Sequence, residues 1–379
     1  MNRRSDPTLV ITLLLLITGG LLMIYSASAP NQAPGNDLHY VTKQIIAIVI
    51  GLSLCWTTAI IPTRYFRAYS WQAVVMTSIL LALCFTGFGV SVNGARRWLD
   101  LGFINLQPSA IAKIVAMVAV AANLQRFRSE LHKINVLLAC FYPTFLFIIL
   151  IIPEPDFGTT AIITICSVMM LFIAGAPLKY FAVMVGGGIA LGVPIMLFES
   201  YRLRRILAYL SPWENQSGDA YQIIQGWIAF HSGGFWGQGL GNGLSKRQFL
   251  PEPWTDYIGA VLAEEAGFVG FCILIVLYML LLWRGLHIAM RASDAFSTYL
   301  AASLTLMICG EAFLNLGVIT GILPPKGLVL PFISYGSTSI ICHLWAIGFL
   351  LSISAESHDT EKGWVSPDPL SPPLGIEAK

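Results

Sequence analysis

Ten apolar runs, most of them about 18 residues or more and so long enough to cross a bilayer as helices, leave this chain few folds to choose from. They lie near 8–28, 42–61, 70–89, 107–124, 135–152, 158–175, 181–199, 257–283, 297–322 and 338–354. A backbone surrounded by lipid can satisfy its hydrogen bonds only as a helix or a closed barrel. Barrel strands read as alternating segments of roughly 10 residues, and these runs are longer and do not alternate. The expectation is an all-α integral membrane protein with ten transmembrane helices. With 56% apolar and only 11% charged residues, a water-soluble domain of 379 residues is excluded.

Orientation follows from the basic residues of the short loops. Under strict alternation Arg3, Arg4, Arg64, Arg67, Arg126, Arg128, Lys133, Lys179, Arg284 and Arg291 fall on one side. That side is expected to be cytoplasmic, with both termini there. Arg3-Arg4, an apolar run and Ser26-Ala27-Ser28-Ala29 imitate a cleavable secretory signal. Nine further spans follow, so an uncleaved first helix is expected. The expected division is a membrane domain over 1–355 and a disordered cytoplasmic tail over 356–379, which is rich in Pro, Ser and acids and has little to bury. All seven cysteines sit inside apolar runs at spacings that fit no metal site, and they read as small buried hydrophobes.

The exception to the apolar pattern is 200–257, between the seventh and eighth spans and on the outer side. It carries five basic residues, four tryptophans, a glycine-rich run from Gly233 to Gly243, and Asp256 at the edge of the next span. The glycine run has no Gly-x4-Gly-Lys-Ser/Thr pattern and no strand–turn–helix setting. It reads as a tight re-entrant or interfacial turn in which glycine permits positive φ and close packing. Asp256 is open to two readings, an N-cap for the following helix or a general base. Lys113 lies within a span, where an ionisable group is costly and points to function. Glu264, Glu265 and Glu311 are intramembrane acids that need partners. Arg96, Arg97, Arg202, Arg204, Arg205, Lys246, Arg247 and Lys326 are bases on the outer side. Two or three of them converging with Lys113 would suit an anionic lipid headgroup, above all a diphosphate. The hydroxyls and glycine of Ser334-Tyr335-Gly336-Ser337 at the start of the last span read either as an anion site or as simple capping.

Several ordered pieces carry a resemblance over essentially the whole chain. They are Asn93-Gly94-Ala95-Arg96-Arg97-Trp98, Leu106-Gln107-Pro108-Ser109 with Lys113, Glu154-Pro155-Asp156-Phe157-Gly158-Thr159, Tyr201-Arg202 with Arg204-Arg205, Ser211-Pro212-Trp213-Glu214, Gly237-Gln238-Gly239-Leu240-Gly241, Leu250-Pro251-Glu252 with Thr255-Asp256, and Pro331-Phe332-Ile333-Ser334-Tyr335-Gly336. Together they resemble the SEDS family (shape, elongation, division and sporulation). Gly239-Leu240-Gly241-Asn242 with Lys246, and Leu323-Pro324-Pro325-Lys326-Gly327-Leu328, look like its division branch (FtsW) rather than its elongation branch (RodA). The resemblance implies a peptidoglycan glycosyltransferase that polymerises lipid II beside a class B penicillin-binding protein and other membrane proteins of the division machinery. It places the family's essential loop aspartate on Asp256, and further functional positions on Lys113, Asp156, Arg202, Glu265 and Ser334-Tyr335-Gly336. Arg97, Arg204, Arg205 and Lys326 join the expected substrate-binding set.

This chain departs from the family pattern at four places. Ala110 replaces a usual Glu, which removes an expected partner for Lys113. Trp254 stands for His, Ser337 for Gly, and Glu311 for a usual Gln. In the reaction that the resemblance implies, Asp256 takes the proton of the acceptor 4-hydroxyl. Arg202, Arg204 or Arg205 and Lys113 meet the leaving diphosphate, with a divalent cation (Mg2+ or Mn2+) carried by that diphosphate as a further source of charge. No dedicated metal cage is visible in the sequence. Two other classes stay open at this stage, a flippase for the lipid-linked precursor and a non-catalytic scaffold that recruits the penicillin-binding protein.

Overall fold

The computed structural model describes residues 6–31, 38–92, 95–100, 102, 105–154, 156–198, 204, 207–216, 218, 220–247, 249–325 and 327–361. The chain opens with helices α1 (Pro7–Ser28), α2 (His39–Ile60), α3 (Thr63–Ala68) and α4 (Ser70–Leu83). Strands β1 (Gly89–Val92), β2 (Ala95–Asp100) and β3 (Asn105–Leu106) follow, then α5 (Pro108–Arg126), α6 (Ile134–Cys140), α7 (Tyr142–Ile151), α8 (Phe157–Ile173) and α9 (Leu178–Phe198). The last helices are α10 (Tyr221–Gly233), α11 (Ile258–Met290), α12 (Ala295–Ile319) and α13 (Ser337–Glu361).

Six of the described helices, α1, α2, α5, α11, α12 and α13 as far as Ser357, are long and apolar enough to cross a membrane. Helices α6 and α7 make a seventh if they count as one span bent by 53°. Helices α4 and α8 are apolar but shorter. The multi-pass helical architecture expected from the sequence is present, while the expected ten spans exceed the six or seven that length and composition establish. Large apolar side chains face outward along the bundle, Trp56 and Ile149 each at 67% exposure. Lipid is the solvent that makes such a surface stable.

Membrane helices associate through close packing, which small residues permit. Helix α13 lies along α2, and a Cβ at Gly348 would come within 2.7 Å of the Cys55 carbonyl oxygen. Asp6 caps α1 by accepting from Leu9 N at 3.1 Å and also takes a hydrogen bond from Arg284, tying the first helix to the end of α11.

The structure corrects the sequence reading in three places. The outer segment between α4 and α5, read from the sequence as a loop, is a small antiparallel sheet, order β1-β2-β3, on an otherwise all-α bundle. Helix α4 ends at Leu83 instead of running toward 89, because Gly89 turns back against the Cys84 carbonyl and enters β1. Helix α13 runs on to Glu361, through positions expected in the tail. Glu356 accepts from Thr63 N at 2.8 Å and Thr63 Oγ1 at 2.7 Å, so the end of α13 is held against the start of α3. Residues 362–379 lie outside the described residues.

The polar insert is also structured. Helix α10 buries Ile223, Ile224, Gly226 and Ala229 and packs on α11. The glycine run then folds into a break in α11, where Gly267 has φ 70° and ψ −170°. Freed helical groups find partners in the run: Gln238 N and Gly239 N donate to the Glu264 and Glu265 carbonyls, and Phe268 N donates to the Gly234 carbonyl, each at 3.0 Å. Only glycine fits, since a Cβ at Gly237, where φ is 83°, would lie 2.2 Å from the Glu265 carbonyl oxygen. Non-helical backbone at membrane depth is stable when protein satisfies it in this way.

Candidate active site

A cavity of about 550 Å³ is lined by the N-terminal ends of α5 and α8, strand β2, the approach to α11, and the segment that enters α13. Lys43, Arg97, Lys113, Asp156, Glu252, Asp256 and Glu311 supply its charged lining among the described residues. Tyr335, Gly336, Ser337 and Ser339 complete one wall.

Asp256 does not occupy the capping position of α11. The helix begins at Ile258, and Tyr257 holds the capping position without a side-chain cap bond of its own. The Asp256 backbone is pinned instead: Asn315 Nδ2 donates to the Asp256 carbonyl at 2.9 Å and to the Leu328 carbonyl at 2.5 Å. Glycine at 327 leaves the carboxylate room, for a Cβ there would sit 3.2 Å from Asp256 Oδ2. The neighbouring wall is equally constrained. Tyr335 N donates to the Trp254 carbonyl at 2.9 Å, and Ser334 Oγ donates to the Thr255 carbonyl at 2.8 Å. Gln44 Nε2 donates to the Ser334 carbonyl, Gln44 Oε1 accepts from Gly336 N, and Tyr278 donates to the Pro331 carbonyl. These bonds hold Phe332 at φ 68°, a conformation costly for a bulky residue. Tyr40 stacks on Trp254 with centroids 4.7 Å apart and meets Tyr335 edge-on at 4.9 Å.

Asp156 is the cap of α8, accepting from Thr159 N at 3.2 Å. Its carboxylate also accepts from Thr159 Oγ1, Ser109 Oγ and Gln107 Nε2 at 2.8, 3.0 and 3.2 Å. Four donors leave this carboxylate a joint between α5 and α8. Deeper in the wall, Lys113 Nζ donates to Glu311 Oε1 at 2.5 Å, and His343 Nε2 lies 2.9 Å from Glu311 Oε2. Ser339 Oγ lies 3.3 Å from His343 Nδ1 and returns the chain of contacts to the cavity.

Residues 7–359 match the family model for the FtsW, RodA and SpoVE cell cycle proteins. The chain belongs to this family. A probable peptidoglycan glycosyltransferase FtsW of Coxiella burnetii is 39% identical over 366 residues, covering 93% of this chain and 97% of that protein. The stage V sporulation protein E of Bacillus subtilis is 36% identical over 360 residues, covering 93% and 97%. Among solved structures, a chain of a peptidoglycan synthase complex aligns with TM-score 0.75 at 24% identity, covering 94% of this chain and 98% of that one. The rod shape determining protein RodA of Thermus thermophilus aligns with TM-score 0.68 at 24% identity, covering 94% and 97%.

In this FtsW/RodA/SpoVE protein the expected gap beside Lys113 is filled. Ala110 removes one carboxylate, but Glu311 supplies another from α12, a finding that corrects the reading of Lys113 as unpartnered. Glu265 is corrected too, since it does not line the cavity. It is fully buried in an ion pair with Lys246 at 2.6 Å and accepts from Ser26 Oγ and Gly241 N. Glu264 accepts from Leu244 N and Ser245 N. Both acids clasp the glycine run to α11. Ser334 braces the turn from behind, whereas Tyr335 and Gly336 face the cavity. Arg204 is exposed and off the cavity lining, and Arg202, Arg205 and Lys326 lie outside the described residues. Lys43 and His343 went unnoticed in the sequence reading, and Glu252 and Ser339 stood in it only as parts of motifs, with no role of their own. His343 carried a usable signal, an ionisable residue inside an apolar run. Among the described residues no group of three or more His, Cys, Asp or Glu side chains gathers to hold a metal ion.

Behind β2, Arg97 Nε donates to the Glu154 carbonyl at 2.6 Å. The Glu154 side chain is 1% exposed, and its carboxylate oxygens have no hydrogen-bond partner among the described residues. Burial, and then the nearby Asp156 charge, push this carboxyl up from 4.5 to about 8, against the pull of Arg97. The folded protein therefore holds a proton that the unfolded chain releases near 4.5, so this group's contribution to stability is full below that pH and is lost as pH rises to about 8. Melting curves of Glu154→Gln should match wild type at low pH and exceed it progressively through that window. Parallel curves would show that Glu154 does not hold the proton.

Proposed function

We propose that this protein is a peptidoglycan glycosyltransferase that polymerises lipid II on the outer face of the bacterial cytoplasmic membrane during cell division and releases undecaprenyl diphosphate. The observation that carries the reading is the convergence of Asp256 and Lys113 on one charged cavity in a chain of this family. In this reading the chain crosses the membrane ten times, with both termini in the cytoplasm and the 200–257 insert outside. A class B penicillin-binding protein is the proposed partner, a role supported by the likeness in fold to a chain of a peptidoglycan synthase complex.

In this mechanism the acceptor 4-hydroxyl attacks the anomeric carbon of the donor, and the diphosphate leaves from the opposite face. Asp256 takes the hydroxyl proton. Lys113, Arg97 and Lys43 supply positive charge toward the leaving diphosphate, with Arg202, Arg205 and Lys326 as further candidates. Fixed charges of this kind accelerate reactions where charge develops. Trp98 and Tyr335 offer aromatic surface on the cavity lining for sugar rings, and Tyr40, stacked on Trp254, backs Tyr335. Any divalent cation would arrive on the diphosphate.

The test is purified protein in liposomes with lipid II, with and without the partner. Glycan polymer is the expected product. Lipid movement without polymer would make the protein a transporter, and neither result would make it a scaffold.

A further inference from the structure

Lys113 and Glu311 come from helices α5 and α12, 198 residues apart in sequence, and meet at 2.5 Å with both residues on the cavity wall. Glu311 is held from its other oxygen by His343, which is 1% exposed and braced in turn by Ser339. The carboxylate thus has one fixed neighbour behind it and one flexible cation in front. Lysine is a point charge on a four-carbon stem that adapts to its partner, and the cavity lies within its reach.

We infer that Glu311 and His343 are positioning residues for Lys113. They hold its ammonium at the cavity wall, aimed at the diphosphate of a polyprenyl-linked substrate, and His343 remains on Glu311 when the ammonium is drawn to phosphate. This inference rests on the proposed reading of the cavity as a polyprenyl-diphosphate site. A cation placed in advance binds its anion more tightly than one that samples many rotamers, because only the competent fraction binds.

A simpler role for Glu311 would be to staple α12 to α5 and α13. Position 110 separates the two ideas. Ala110 lies three residues before Lys113 on α5 and lines the same cavity. A carboxylate there can meet the Lys113 ammonium along one helix, but it cannot join α5 to α12.

The experiment compares wild type, Glu311→Gln, and Glu311→Gln with Ala110→Glu as full-length proteins. It reads undecaprenyl diphosphate binding, the lipid II dependence of polymerisation, and melting temperature. Glu311→Gln should weaken undecaprenyl diphosphate binding and raise KM by about tenfold through loss of the competent fraction. The double variant should recover both to within about threefold of wild type, without recovering any melting temperature lost. Unchanged binding in Glu311→Gln would overturn the inference. So would a double variant that folds but stays weak, which would leave Glu311 as a staple. If Glu311→Gln does not fold, Glu311→Asp with and without Ala110→Glu carries the same comparison. A wild type that binds undecaprenyl diphosphate with this dependence but makes no polymer would remove the transferase reading and keep the positioning role.

Discussion

Asp256→Asn is expected to lower lipid II polymerisation by at least about two orders of magnitude, the usual contribution of a positioned general base. The amide keeps the shape of the side chain but cannot take a proton at neutral pH. Melting temperature, membrane insertion and partner binding should match wild type. Asp256→Ala should be equally inactive, since alanine cannot take the proton either. Polymer assayed on gels at saturating lipid II decides the matter. Wild-type turnover by Asp256→Asn would move the base elsewhere in the cavity. Asp156 is a poor substitute because four donors occupy its carboxylate. Glu264 and Glu265 are committed to Ser245 and Lys246, just past the glycine run. Glu252, exposed and lining the cavity, would be the next to test.

Lys113→Ala should cost the protein twice. Losing the ammonium removes a cation from the cavity, so lipid II binding and turnover should fall sharply. It also leaves the buried Glu311 carboxylate with His343 alone, and breaking one side of a buried pair destabilises by about 3 kcal/mol. The two losses separate in Lys113→Ala with Glu311→Gln. Without the buried carboxylate the double variant should melt close to wild type, yet its polymerisation should stay low because the cation is still missing. Binding of lipid II and thermal melting, read on the same preparations, test both halves. Wild-type polymerisation by Lys113→Ala would reduce the residue to a structural pair with Glu311.

Trp254 and the glycine run show how far a local reading reaches. Glycine at 237 and 239 was legible as positive-φ backbone, and φ is 83° and 94° there. What that backbone pairs with was not, because the break at Gly267 lies in a run whose apolar composition reads as unbroken helix. Trp254 was legible as a departure from a family pattern. Its stacking on Tyr40 required α2 to be brought beside the loop. Helix α10 and the β1–β3 sheet were missed for a similar reason, since short amphipathic pieces next to long apolar runs carry little periodicity of their own.

The sequence by itself determined that this chain is a multi-pass helical membrane protein, because lipid forces each span to satisfy its own backbone and only long apolar runs can do so, and its ordered motifs carried the resemblance to one family. It also marked Lys113, Asp256 and the buried acids as residues needing an explanation, since charge in an apolar setting is costly wherever it stands. Which partner meets each charge was decided only by the tertiary structure. Glu265 goes to Lys246 in a scaffold, and Glu311 goes to Lys113 and His343 at the cavity. Those pairings join residues on different helices, and helix packing sets them through the close approach of side chains far apart in the chain.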